Sequence, residues 1–95
     1  LAFNANAIEE KMTALARYLD LANPSGKSVQ RWVLELREQI GIHHTLAKLG
    51  VTEDLIPRLA RMAVNDPTAP TNPVKLTVAN LEGLYARAIS GEVAA

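Results

Sequence analysis

Apolar side chains recur along this chain at helical spacing, in four stretches separated by turn-forming residues. In the first, Ala5 to Leu21, the residues Ile8, Met12, Leu15, Ala16 and Leu19 share one face of a 3.6-residue period, while Glu9, Lys11, Arg17 and Asp20 mostly fall off it. Asn4 or Asn6 offers a side-chain oxygen to cap the start, and Glu9 and Glu10 sit in the first turn, where the helix dipole favours negative charge. Asn23-Pro24-Ser25-Gly26 is expected to close this helix. Pro24 cannot continue the hydrogen-bond ladder, and Gly26 permits positive φ.

The second stretch, Lys27 to Ile40, places Val29, Trp32, Val33, Leu36 and Ile40 on one face. Ser25 or Ser28 can cap it, and Gly41 stands where a left-handed terminating residue is expected. Trp32 is the single Trp and reads as a core anchor with its N–H near the surface. A connector follows from Gly41 to Gly50, in which Thr45 can cap one or two short turns and Gly50 ends them.

Thr52 is the expected cap of a third helix, Glu53 to Val64, whose buried face is Leu55, Ile56, Leu59, Met62 and Ala63. Pro57 falls early in it, where a missing N–H costs least. Asn65 to Leu76 is the longest irregular stretch, and Pro67, Pro70 and Pro73 predict extended, partly stiffened backbone. Thr77 caps the last helix, which runs to about Ile89 with Val78, Leu81, Leu84, Tyr85, Ala88 and Ile89 as its apolar positions. Ser90-Gly91 ends it, and Glu92 to Ala95 reads as a frayed tail. No strand pattern, internal repeat or coiled-coil heptad run is present. The expected class is all-α, an irregular bundle of about four main helices plus short turns, in a single segment over residues 1–95.

Composition narrows the function. Ten Lys and Arg balance ten Asp and Glu, which argues against a nucleic-acid binder or a polybasic membrane anchor. Phe3, Tyr18 and Tyr85 form no stacking platform for bases. No apolar run approaches the roughly 18 residues of a membrane span, and no signal peptide is evident, so a cytoplasmic setting is expected. The absence of Cys removes thiol redox chemistry. The chain opens at Leu1 rather than Met and enters a helical pattern within a few residues, as a processed or trimmed product would.

Catalytic chemistry is hard to place. His43-His44 is the one pair that suggests a metal, but adjacent side chains diverge, and zinc ligands are usually spaced like His-x3-His with Cys or carboxylates nearby. Ser25, Ser28 and Ser90 occupy helix boundaries, which explains them as caps or stops. Glu9-Glu10 and Glu53-Asp54 belong to first turns rather than to an apolar cleft. The five glycines are isolated, so there is no phosphate-cradling loop. No catalytic, cofactor-binding or metal-ligating residue is expected in this segment.

One ordered series of motifs changes this picture. Phe3-Asn4 precedes an Ala-rich helix, and Gly41-Ile42-His43-His44-Thr45-Leu46 follows. Then come Leu49-Gly50-Val51-Thr52-Glu53-Asp54-Leu55, Asp66-Pro67-Thr68-Ala69-Pro70-Thr71-Asn72-Pro73, and a closing helix from Thr77 to Ala88. In this order and spacing the chain resembles the C-terminal end of an iron-containing (group III) alcohol dehydrogenase. The resemblance covers essentially the whole chain. It implies a dehydroquinate-synthase-like parent with an N-terminal α/β domain for NAD(P) and a helical C-terminal domain holding a divalent metal, iron or zinc. That metal is held by one Asp and three His, all of which the resemblance places before Leu1, so His43 and His44 inherit no ligand role. The implied partners are the remainder of the parent enzyme and, for the full-length protein, further copies of itself, with no nucleic acid and no membrane. In many relatives a Cys stands where Thr68 stands and an Arg where Val74 stands. The resemblance puts this loop near the substrate side of the interdomain cleft and makes Thr68 its candidate lining residue. A fragment of such an enzyme is expected to be inactive alone. The competing expectation is a stand-alone helical protein-interaction module.

Overall fold

The computed structural model describes residues 1–93; Ala94 and Ala95, the end of the expected tail, lie outside the described residues. Four α-helices and several short 3-10 turns make up the described chain, with no strand among the described residues, so the all-α class holds. The residues gather into two compact units, one from Leu1 to Ile42 and one from His43 onward.

The first unit begins as a 3-10 helix, Ala2–Ile8, that runs directly into α1, Glu9–Tyr18. Helical structure therefore starts earlier than expected, and α1 has no side-chain cap at its start. It also stops earlier. Asp20 takes φ +55, and the N–H groups of Asp20 and Leu21 donate back to the carbonyls of Arg17 (3.1 Å) and Ala16 (3.0 Å). That pair of bonds is the Schellman stop, with an Asp where glycine is usual. Pro24 and Gly26 come after the chain has already turned.

Helix α2, Gly26–Gln39, is capped by Ser25, and the cap is reciprocal. The Ser28 N–H donates to Ser25 Oγ at 3.2 Å, and the Ser25 N–H donates to Ser28 Oγ at 2.9 Å. Gly26 does not need positive φ. It is small because the Glu9 carboxylate lies where a Cβ would be. Glu9 Oε1 accepts the Gly26 N–H at 3.0 Å and the Thr13 hydroxyl at 3.2 Å, which ties the start of α1 to the start of α2. At its far end α2 closes on Gly41 (φ +75), with Gly41 and Ile42 N–H groups donating to Glu38 and Arg37 carbonyls.

Only Ala16 and Val29 are buried in this unit. Trp32 is 38% exposed, so it is not the core anchor its sequence context suggests. Val29 is the buried position of α2, Val33 and Arg37 beside it are half-buried, and Trp32, Leu36 and Ile40 stay more than a third exposed.

The second unit opens with the connector. Thr45 Oγ1 accepts the Lys48 N–H at 3.3 Å, and a 3-10 turn, Ala47–Leu49, ends on Gly50 at φ +83. Another 3-10 turn, Glu53–Leu55, leads into α3, Ile56–Val64, with Pro57 in its first turn. The Thr52 hydroxyl donates to the Asp54 carboxylate instead of capping the helix, which corrects the expected cap. α3 packs against α4, Val78–Ser90, over Ala60, Leu81 and Ile89. Ala60 is fully buried while Met62 is 61% exposed, the reverse of the expected pair. At 100° per residue Ala60 lies inside the stripe formed by Leu59, Ala63, Ile56 and Val64, and Met62 lies beyond its margin.

The start of α4 is a second reciprocal cap, between Thr77 and Asn80. At its end the Gly91 N–H donates to the Arg87 carbonyl at 2.8 Å with φ +82. The Leu46 N–H donates to the Ala88 carbonyl at 2.9 Å, which satisfies an acceptor that the helix end leaves open and pins the connector to α4. No helix among the described residues is long and apolar enough to cross a membrane.

Candidate functional site

The segment between α3 and α4 is not extended. It is a run of tight turns held by its own side chains. Asp66 Oδ1 accepts the Thr68 N–H at 2.7 Å and the Thr68 hydroxyl at 2.5 Å. Such an Asx turn forms because a short carboxylate reaches the amide two residues on. The Thr71 hydroxyl donates to the Thr68 carbonyl at 2.6 Å across a 3-10 turn, Ala69–Thr71. Asn72 Nδ2 donates to the Val74 carbonyl at 2.6 Å, and Asn80 Nδ2 reaches back to the Lys75 carbonyl at 2.9 Å. Asn65 Nδ2 closes α3 by donating to the Arg61 carbonyl at 2.9 Å. The expected extended backbone gives way because the side chains of Asn65, Asp66, Thr71 and Asn72 offer the main chain a local partner.

Between this loop and the helices lies an open groove of about 650 Å³. Leu59, Met62 and Ala63 of α3 form one side, and Leu76 and Tyr85 continue it. Asp66, Thr68, Thr71 and Asn72 give the loop side its polar groups. Thr68, the candidate from the sequence, therefore lines a groove, with its hydroxyl committed to Asp66. That same hydroxyl and amide hold the Asp66 carboxyl below its ordinary value, outweighing the small desolvation that opposes them. The sequence reading missed Tyr85 and Met62 as groove residues, since both were assigned to a helix core. The Asp-x-Thr spacing was the signal for the Asx turn.

Neither group expected of a family enzyme fits these residues. Among the described residues no three His, Cys, Asp or Glu side chains are placed to hold one metal ion, His43 and His44 included. Gly41, Gly50 and Gly91 all end helical turns, Gly83 lies inside α4, and the Cβ space at Gly26 is filled by Glu9, so none builds a phosphate cradle. The described residues thus form an all-α segment with a partly polar groove beside the Asp66–Asn72 turns.

Comparison with known proteins gives this class its place. Residues 1–89 match the family described as Fe-containing alcohol dehydrogenase family, C-terminal, and the chain belongs to that family. It is 33% identical over 91 residues to a maleylacetate reductase of Sphingobium indicum (strain UT26). The match takes in 96% of this chain and 24% of that relative, so the chain spans about a quarter of the relative's length. No solved structure matches it.

Proposed function

We propose that this chain is the C-terminal helical part of a nicotinamide- and metal-dependent oxidoreductase that interconverts alcohols and aldehydes or ketones by hydride transfer. The single observation behind this reading is the family match, which runs through both units. The full-length protein uses NAD(P) and a divalent metal, iron or zinc, which would polarise the reacting oxygen. Its ligands and its dinucleotide site belong to other parts of the protein. This segment alone is inactive. Its contribution is a wall of the substrate cleft, with Thr68 and the Asp66–Asn72 turns at the surface and the α3–α4 pair as their support. The maleylacetate reductase relative makes an unsaturated keto acid a substrate to try beside simple alcohols and aldehydes. The protein works in the cytoplasm as a homo-oligomer.

The test is a purified full-length protein assayed for NADH and NADPH oxidation with maleylacetate and with aldehydes, before and after chelation. Turnover that chelation removes supports the reading. Absence of turnover with every carbonyl and both nucleotides overturns it and leaves the interaction-module reading. Thr68→Tyr, which fills the groove, is expected to raise KM several-fold with little change in thermal stability; an unchanged KM removes Thr68 from the cleft.

A further inference from the structure

The apolar stripe on α2 has more to bury than its own unit offers. Val29 is 2% exposed, but one, two and three turns on, Trp32, Leu36 and Ile40 are 38%, 37% and 60% exposed. The stripe is otherwise well made. Lys27, Arg31 and Glu38 fall on the opposite face at 100° per residue, and the stripe is edged by Glu35 and Gln39 on one side and by Gln30 and Arg37 on the other. Charge is confined to the edges of this stripe, the arrangement of an interface with an apolar core and a polar rim.

We infer that the Trp32–Leu36–Ile40 face of α2 is a docking surface for an apolar helix of the same polypeptide, from the region of the full-length protein that precedes this segment. This rests on the family reading of the chain. The segment corresponds to 24% of its reductase relative and to the C-terminal part of its family, so most of such a protein lies on the N-terminal side. A second copy is the poorer occupant. Three side chains on one helix are small beside the roughly 800 Å² per partner that a stable dimer buries. A covalently attached helix does not pay the entropy of bringing two molecules together, so a narrow stripe suffices. Anchors spaced i, i+4, i+8 match the way one helix lies against another.

Two measurements on the full-length protein decide this, and neither needs activity. Hydroxyl-radical footprinting should oxidise Trp32 at least about tenfold more slowly in the native protein than in the same protein unfolded in guanidinium, well beyond the roughly two- to three-fold that its 38% exposure gives with α2 uncovered. A photo-crosslinking residue, p-benzoylphenylalanine in place of Ile40, should give an intrachain product mapping to a peptide that precedes Leu1. A slowing of no more than about two- to three-fold overturns the inference, as does a dimer-sized product, a product within His43 to Val93, or no product. Nicotinamide turnover with Trp32 open would sink only the docking surface. Trp32 covered by the preceding region without turnover would sink only the enzymatic reading.

Discussion

The two units solve the same problem, pairing two helices, with opposite means. The first is fixed by a polar contact between helix starts, Glu9 on the Gly26 amide, over a core of only Ala16 and Val29. The second is fixed by burial of Ala60, Leu81 and Ile89, reinforced by the Leu46–Ala88 strut and the turn network around Asp66. Hydrogen bonds position elements but contribute about 1 kcal/mol each, whereas a well-buried large side chain contributes about 1.5–3 kcal/mol. The first unit is therefore accurately placed and weakly held, and the second is held by its own interior.

The sharpest way to break this contrast is Leu81→Ala. Removing a buried Leu is expected to cost about 3 kcal/mol, read as lost amide-exchange protection across α3 and α4. An equal loss in α1 and α2 would show that the two units do not differ in this way. Gly91→Ala comes next. It forces an alanine into φ +82 with its Cβ 2.7 Å from Thr45 Cγ2, and should cost about 2 kcal/mol, seen as fraying of the last turn of α4 and of the Thr45 connector.

In the first unit, Glu9→Ala and Gly26→Ala should each cost about 1 kcal/mol of protection at the start of α2. Because both disturb one contact, the double variant should cost little more than either alone; additive losses would mean that Glu9 and Gly26 act separately. The smallest effect is a pH dependence in the second unit. Asp66 has a folded pKa below its unfolded one, so its contribution is present above the unfolded value and is lost as pH falls through the folded value. An NMR titration of the Thr68 amide should follow that lowered value and lose it in Asp66→Asn. A Thr68 amide indifferent to Asp66 would remove the turn from the account.

Helix existence and most stops were legible because their signals are local. Ser25, Thr77, Gly41, Gly50 and Gly91 each act within a few residues of themselves. Asp20 was illegible for the same reason in reverse, since nothing nearby marks an aspartate for the left-handed region. Contacts between distant residues were hidden altogether, as with Glu9 and Gly26, seventeen positions apart. Trp32 was misplaced because an apolar stripe reveals that a surface wants cover, not which neighbour supplies it. Of the groove, Thr68 came from family resemblance, whereas Tyr85 and Met62 joined it only once α3 and α4 were packed.

The loop between α3 and α4 carries a last consequence, for the unfolded chain rather than the folded one. Pro67, Pro70 and Pro73 limit the conformations the loop can explore when it is open, and the Asp66, Thr68, Asn72 and Asn80 bonds favour it when closed. A stretch whose open state is impoverished and whose closed state is bonded opens rarely, so a protease needing several extended residues meets few accessible copies of it. The loop between α3 and α4 is, on these grounds, a poor place to cut.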